Sequence, residues 1–256
     1  MKHSIGFIGG GRITRILLQA FCNKDVKFNT VAVADTNSEV ASKLKSLYPF
    51  IEIENASVAA NQDIVFISLH PPVIMDTLEI IKNDIRSTST VISLAPKIDI
   101  ARISSKIGQV KNIARLIPNA SSYINDGFNP VCFSSGFDKS EKDSVLDLLR
   151  TLGHTFEVAE EKLESYAIVS AMLPTYFWFQ WNYLEDLGMK TGLSKSEAEE
   201  AVHQTLLAAI NLMYTSELKP EEVIDLIPVK PIGENEAQIT EIYKTKLIGL
   251  FEKIKP

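Results

Sequence analysis

A chain of 256 residues with 45% hydrophobic and 23% charged residues carries ample apolar material for a core, and its length favours two domains over one. Its net charge of −6, without any basic stripe, rules against binding driven by counterion release from a phosphate backbone, so nucleic acid is not an expected partner. The two cysteines, Cys22 and Cys132, have no C-x-x-C spacing and read as reduced, buried thiols rather than a disulfide or zinc framework.

The chain starts a strand almost at once, "SIGFI", without a charged leader or apolar block, so no export signal and a cytoplasmic location are expected. Further Val- and Ile-rich runs follow in "TVAVAD", "DIVFISL", "TVISLA" and "NIARLI", separated by helical stretches. Runs with so few polar breaks indicate strands buried on both faces, hence a parallel sheet with crossover helices. That is the doubly wound α/β pattern of a Rossmann domain.

Near Lys139 the pattern changes: "SEKDSVLDLLRTLG" reads as a helix with Ser140 as cap and Gly153 as stop, and a "TFEVA" strand follows. After Glu160 strand signals cease, and helices are expected over about 164–190, 195–216, 220–227 and 235–254. The expected organisation is a dinucleotide-binding domain over 1–158 and an all-α domain over 159–256. The run "AIVSAMLPTYFWFQWNYL" is long and apolar enough to suggest a membrane span. Ser170, Thr175, Gln180, Asn182 and Pro174 interrupt it, and acidic Glu164 and Glu185 flank it, so a helix buried within protein is expected instead.

Three glycines follow the first strand. In Gly9-x-Gly11 the first glycine permits the turn and the second lets backbone approach a pyrophosphate, which the unpaired amides of the following helix would hold. Thr14 fills the third slot, where a larger side chain is expected to loosen helix–strand packing. Asp35 closes the second strand about two dozen residues further on, the place of the acid that accepts from the adenosine ribose. Its charge favours NAD, whereas Arg12 and Lys43, with a Thr36–Asn37 loop, would suit the extra phosphate of NADP, and both coenzymes stay open.

Taken together, several segments resemble the pyrroline-5-carboxylate reductase family. "IGFIGGGRI" is similar to its "IGFIGxGxM" opening, and "RLIPNASSYINDGFNPVCF" to its "R-x-M-P-N-T-P-x-x-x-x-x-G" segment. "LGHTFEVAEEKLESYAIVSAMLPTY" resembles the junction leading into "S-G-S-G-P-A-Y", and "TGLSKSEAEEAVHQTLLAAINLM" resembles the helix that follows. The resemblance implies a Rossmann domain that binds NAD or NADP, an all-α dimerisation domain giving a homodimer or higher oligomer, and hydride transfer to a small imine or carbonyl substrate. Carried over by position, Gly9, Gly11, Arg12 and Ile13 would meet the pyrophosphate, and Asp35, Thr36 and Asn37 the ribose. His70, Pro71, Ala95 and Asn119 would line the nicotinamide end.

Departures are equally visible. "SAMLPTY" stands for the glycine-rich "S-G-S-G-P-A-Y", so Met172 and Leu173 put bulk where backbone is expected to approach closely; "IPVKPIGENE" replaces the "S-P-G-G-T-T" carboxylate-binding turn, and Asn182 stands where an acid is expected. An imine reductase needs a proton donor beside the hydride, and the candidates here are His70, Lys97 and Tyr176. No metal site is expected, because the histidines lack ligand spacing. Two other readings share the fold: a catalytically silent nucleotide-binding protein, and an oxidoreductase that takes its hydride from a deazaflavin.

Overall fold

In the computed structural model, which describes residues 3–256, both faces of the apolar runs are covered. Side chains alternate across a strand: Ile64 and Phe66 enter one core while Val65 and Ile67 enter the other, and Val31 and Val33 part from Ala32 and Ala34 in the same way. Phe7 and Phe66 stack at 4.9 Å in the first core, against Leu17, Leu18 and Phe21 of the first helix.

The elements are β1 (Ile5–Ile8), α1 (Arg12–Asn23), β2 (Val31–Ala34), α2 (Ser38–Leu47), β3 (Glu52–Ile53), α3 (Ala56–Ala60), β4 (Ile64–Ile67), α4 (Pro71–Ile81), β5 (Thr90–Ser93), α5 (Ile100–Lys106) and β6 (Asn112–Leu116). They continue with β7 (Gly127–Phe133), α6 (Lys139–Arg150), β8 (Gly153–Glu157), α7 (Leu163–Tyr166), α8 (Pro174–Lys190), α9 (Lys195–Thr215), α10 (Pro220–Asp225) and α11 (Glu236–Ile254). One sheet runs β3-β2-β1-β4-β5-β6-β7-β8. The strands from β1 to β6 pair in parallel, β7 turns antiparallel to β6, and β8 runs parallel to β7. Strand order therefore reverses between β1 and β4, the switch point where such sheets open a crevice beyond their carboxyl ends.

Two compact units divide the chain, one reaching Ala171 and including Leu250–Pro256, the other Met172–Gly249. The first unit runs past residue 158 because Leu163, Ala167 and Ile168 are buried within it. In the second unit α8 packs on α9, with Ala198 buried. Among the described residues no helix is long and apolar enough to cross a membrane.

Several local expectations differ from what is observed. The single helix over 164–190 is interrupted by a π-helical segment at Ala167–Ala171, and α8 restarts with Pro174 in its first turn, where a missing amide hydrogen costs nothing. Nor is α8 buried: Trp178, Phe179 and Tyr183 are exposed on this chain, which leaves an apolar face uncovered. Asp138, not Ser140, caps α6, accepting from the Ser140 and Glu141 amides, because its extended backbone stands just ahead of the first turn whereas Ser140 already lies within it. Cys22 is exposed rather than buried, since it falls on the outer side of α1; Cys132 is buried in β7, and burial pushes its thiol up to about 12.

Candidate functional site

Gly9 makes the turn after β1. Its φ of +105° lies where side chains are strained, and a Cβ there would sit 2.5 Å from the Ser68 carbonyl oxygen, so only glycine fits. Thr14 does not loosen the packing: it is fully buried, and its hydroxyl donates to the Gly9 carbonyl at 2.6 Å, closing the turn from the helix side. Gly11 then caps α1 without a side-chain bond, so the first-turn amides face outward with no side-chain acceptor. A Cβ on Gly11 would meet nothing within 4 Å, which marks open space in front of the helix.

That space is a cavity of about 680 Å³, the size range of a small-molecule site. Gly10, Gly11, Arg12, Ile13 and Arg15 border it from the turn and α1, and Val40, Lys43, Leu44 and Leu47 from one face of α2. Ser68, Leu69, His70 and Pro71 border it after β4, and Leu94, Ala95 and Pro96 after β5. Arg12, Arg15 and Lys43 give the α1–α2 side positive charge, suited to phosphate groups. A buried hydroxyl, Ser68 Oγ, has no partner among the described residues and lies in this lining. An open helix N-terminus, a cradle of backbone at Gly10–Gly11 and three cations fit a dinucleotide.

Of the residues singled out from sequence, Gly11, Arg12, Ile13, His70, Pro71 and Ala95 come together at this cavity. Gly9 shapes the turn from behind. Asp35 sits at the end of β2 with Oδ2 accepting the Gly10 amide at 2.7 Å and Oδ1 accepting the Asn37 amide at 2.8 Å. The carboxylate thus ties the turn to β2 and keeps lone pairs for a further donor. Asn37 spends its side chain on capping α2, accepting from the Glu39 and Val40 amides, and Thr36 is exposed outside the lining.

His70 precedes α4, exposed, with no side-chain capping bond. Lys97 is exposed beyond the lining and holds a left-handed backbone, φ +77°. Asn119 is 7% exposed and turns its amide away from the cavity: Nδ2 donates to the Ser170 carbonyl at 3.1 Å, and Oδ1 accepts from the Ser121 amide. Tyr176 belongs to the second unit, its ring 6.1 Å from that of Tyr243, and burial first, then Tyr243, push its phenol above its ordinary value.

Sequence reasoning missed two features. One is the apolar part of the α2 wall, Val40, Leu44 and Leu47, although these stand at the three- and four-residue steps of one helical face beside Lys43, whose charge the sequence did point to. The other is Arg115 of β6, fully buried and paired through Nη1 with Glu160 at 3.0 Å and through Nη2 with Glu164. Burial works against its charge, but Glu164 and then Glu160 outweigh it and raise the guanidinium above its usual value. The signal was a lone arginine inside the apolar run "NIARLI".

Comparison with known proteins agrees with this layout. Residues 4–97 match the family described as NADP oxidoreductase coenzyme F420-dependent, and residues 160–254 match pyrroline-5-carboxylate reductase dimerisation. Pyrroline-5-carboxylate reductase of Corynebacterium melassecola is 25% identical over 252 residues, covering 97% of this chain and 93% of that protein. The enzyme of Pseudomonas aeruginosa is 24% identical over 251 residues, covering 97% and 92%. Among solved structures, Plasmodium falciparum pyrroline carboxylate reductase with NADP bound superposes with a TM-score of 0.79 at 20% identity, covering 98% of this chain and 95% of that one. The two family matches fall in the order of the sheet-bearing unit and the helical unit, and along nearly its full length the chain is similar to pyrroline-5-carboxylate reductases.

Proposed function

We propose that the protein reduces a small imine or carbonyl compound with NADH or NADPH, as a homodimer or higher homo-oligomer in the cytoplasm. The observation that carries this reading is the cavity at the β1/β4 switch point, with open α1 amides on one side and His70 and Ala95 on the other. When bound, the coenzyme supplies the hydride, and the chain's own task is to hold, orient and protonate. Gly10, Gly11, Arg12 and Ile13 would hold the diphosphate, with Arg15 and Lys43 adding charge on the adenosine side. Asp35 would take the ribose with the lone pairs that Gly10 and Asn37 leave. Pro71, Ala95 and Pro96 would flank the reactive ring, and His70 is the titratable side chain at that end able to give a proton.

Pyrroline-5-carboxylate itself is the first substrate to try, because the relatives carry that name, but the carboxylate turn of the family is replaced here. The test follows reduced-nicotinamide absorbance with a panel of cyclic imines and small carbonyl compounds, with and without a carboxylate. Turnover of at least one supports the reading; none, from protein that demonstrably binds coenzyme, overturns it. Oligomerisation is supported by the match to a dimerisation family and by the uncovered Trp178, Phe179 and Tyr183. Light scattering after chromatography tests it, with Phe179→Glu expected to shift the protein toward monomer.

A second reading, a nucleotide-binding protein without catalysis, is favoured by the bulk of Met172 and Leu173 within the family's glycine-rich stretch. Calorimetry showing tight coenzyme binding without turnover would select it. The description of the family matched over 4–97 also keeps a deazaflavin as an alternative donor, tested by substituting the reduced deazaflavin in the same assay.

A further inference from the structure

Behind the β5–α5 connection, the buried charges of β6 and the segment after β8 form a chain of contacts that ends on backbone. Glu164 Oε1 accepts from Arg115 Nη2 and from the Lys97 amide at 3.1 Å. Glu160 Oε1 accepts from Arg115 Nη1 at 3.0 Å and from the Ile100 amide at 2.7 Å. Each carboxylate thus joins one guanidinium nitrogen to one main-chain amide of residues 97–100. Arg115 is 0% exposed and held by the sheet, and Glu164 is nearly as buried, so neither end of the chain is free to swing. Lys97 takes a left-handed backbone that a lysine does not adopt without a cost, and its amide is the one Glu164 holds. Immediately before it, Ala95 and Pro96 form the cavity wall.

We infer that Arg115, Glu160 and Glu164 are positioning residues that fix the Ala95–Pro96–Lys97 turn against the nicotinamide half of the coenzyme. This inference rests on the cofactor reading given above. The clamp touches neither coenzyme nor substrate; it sets the shape of the wall they meet. A carboxylate pair anchored on one buried guanidinium holds two amides three residues apart, which fixes both the position and the direction of the turn. A salt bridge serving stability alone has no need to end on the strained residue next to a binding wall.

The experiment compares ligands that share an adenosine half. NADH is paired with ADP-ribose, and NADPH with 2′-phospho-ADP-ribose, in calorimetric titrations of the full chain and of E164L and E160Q. The fluorescence of the bound reduced nicotinamide is recorded alongside. E164L, which removes the acceptor for Lys97, is expected to weaken the reduced coenzyme by about ten-fold or more while ADP-ribose changes by less than about two-fold. It should also lose the fluorescence change on binding. E160Q, which takes the charge from a partly exposed side chain but keeps its shape, is expected to move the same ratio in the same direction by about two- to five-fold, and stands as the test should E164L fail to fold. Parallel weakening of both ligands, or no change in either, in a variant that melts cooperatively would overturn the positioning role while leaving the cofactor reading intact. If the unaltered protein bound none of the four ligands, the cofactor reading would fall and this inference with it.

Discussion

Two alanine substitutions in one turn should have opposite consequences. At Gly9 the backbone has φ +105° and an added Cβ would lie 2.5 Å from a main-chain oxygen, that of Ser68. Positive φ alone costs a non-glycine residue about 1–2 kcal/mol. Relieving the contact needs movement of β1 against the end of β4, and core overpacking adds about 1–3 kcal/mol. Gly9→Ala should therefore lose roughly 2–5 kcal/mol, or roughly 4–20 °C of Tm for a unit of this size. At Gly11 the backbone is extended, φ −73°, and a Cβ would touch nothing. Alanine is a poorer N-cap than glycine by about 0.5–1 kcal/mol, but it restricts the unfolded chain by about 0.4–1 kcal/mol. Gly11→Ala should then leave Tm within about 2 °C while its methyl group stands where a diphosphate must approach the amides. Coenzyme affinity should fall about ten-fold or more, which is about 1.4 kcal/mol. Differential scanning fluorimetry and calorimetric titration read the two quantities. If Gly11→Ala bound NADH and NADPH like the unaltered protein, or melted as low as Gly9→Ala, the assignment of the open space at α1 to a diphosphate would be refuted.

Arg115→Met strands Glu164 in the core and should cost about 3–5 kcal/mol, whereas Arg115→Met combined with Glu164→Leu should cost less, a sign that denaturant titrations can read. For Asp63, burial pushes the carboxyl up, but the Ser4 amide and hydroxyl and then Arg86 more than offset it and hold it below the ordinary carboxylate range. A depressed value means that this contribution is present above the unfolded carboxyl value, about 3.9, and is lost as pH falls through the folded value. Asp63→Asn should accordingly flatten the decline of Tm below about pH 4. Thiol reagents at pH 8 should label Cys22 and spare Cys132, whose thiol burial raises to about 12; mass spectrometry of native protein showing labelled Cys132 would contradict its placement.

How much of this could be read in advance depended on how local the cause was. The strands β1, β2, β4, β5 and β6 were legible because both faces are buried and the run itself must be apolar. Strand β3 was not, being two exposed residues at the sheet edge, and β7 was hidden by Gly127 and Pro130 within "GFNPVCF". The turn at Gly9 and Gly11 and its acid at Asp35 were legible because few residue types fit a tight approach of backbone to a ligand. The Arg115 clamp depends on contacts between segments far apart in the chain, such as Arg115 with Glu164 or Lys97 with Glu164, and no window of sequence contains them; the spacing of Val40, Leu44 and Leu47 marks an apolar face of α2 without saying that it borders a cavity. The apolar run of α8 signalled burial without saying what covers it; one side packs on α9, while Trp178, Phe179 and Tyr183 stay exposed.

The bond between the Gly10 amide and Asp35 couples two choices that a designer would want to make separately. Switching coenzyme preference by replacing the acid at the end of β2 would also release the Gly9–Gly11 turn it braces. Retuning selectivity in this scaffold is better begun at Lys43 and Thr36, whose side chains carry no part of that brace.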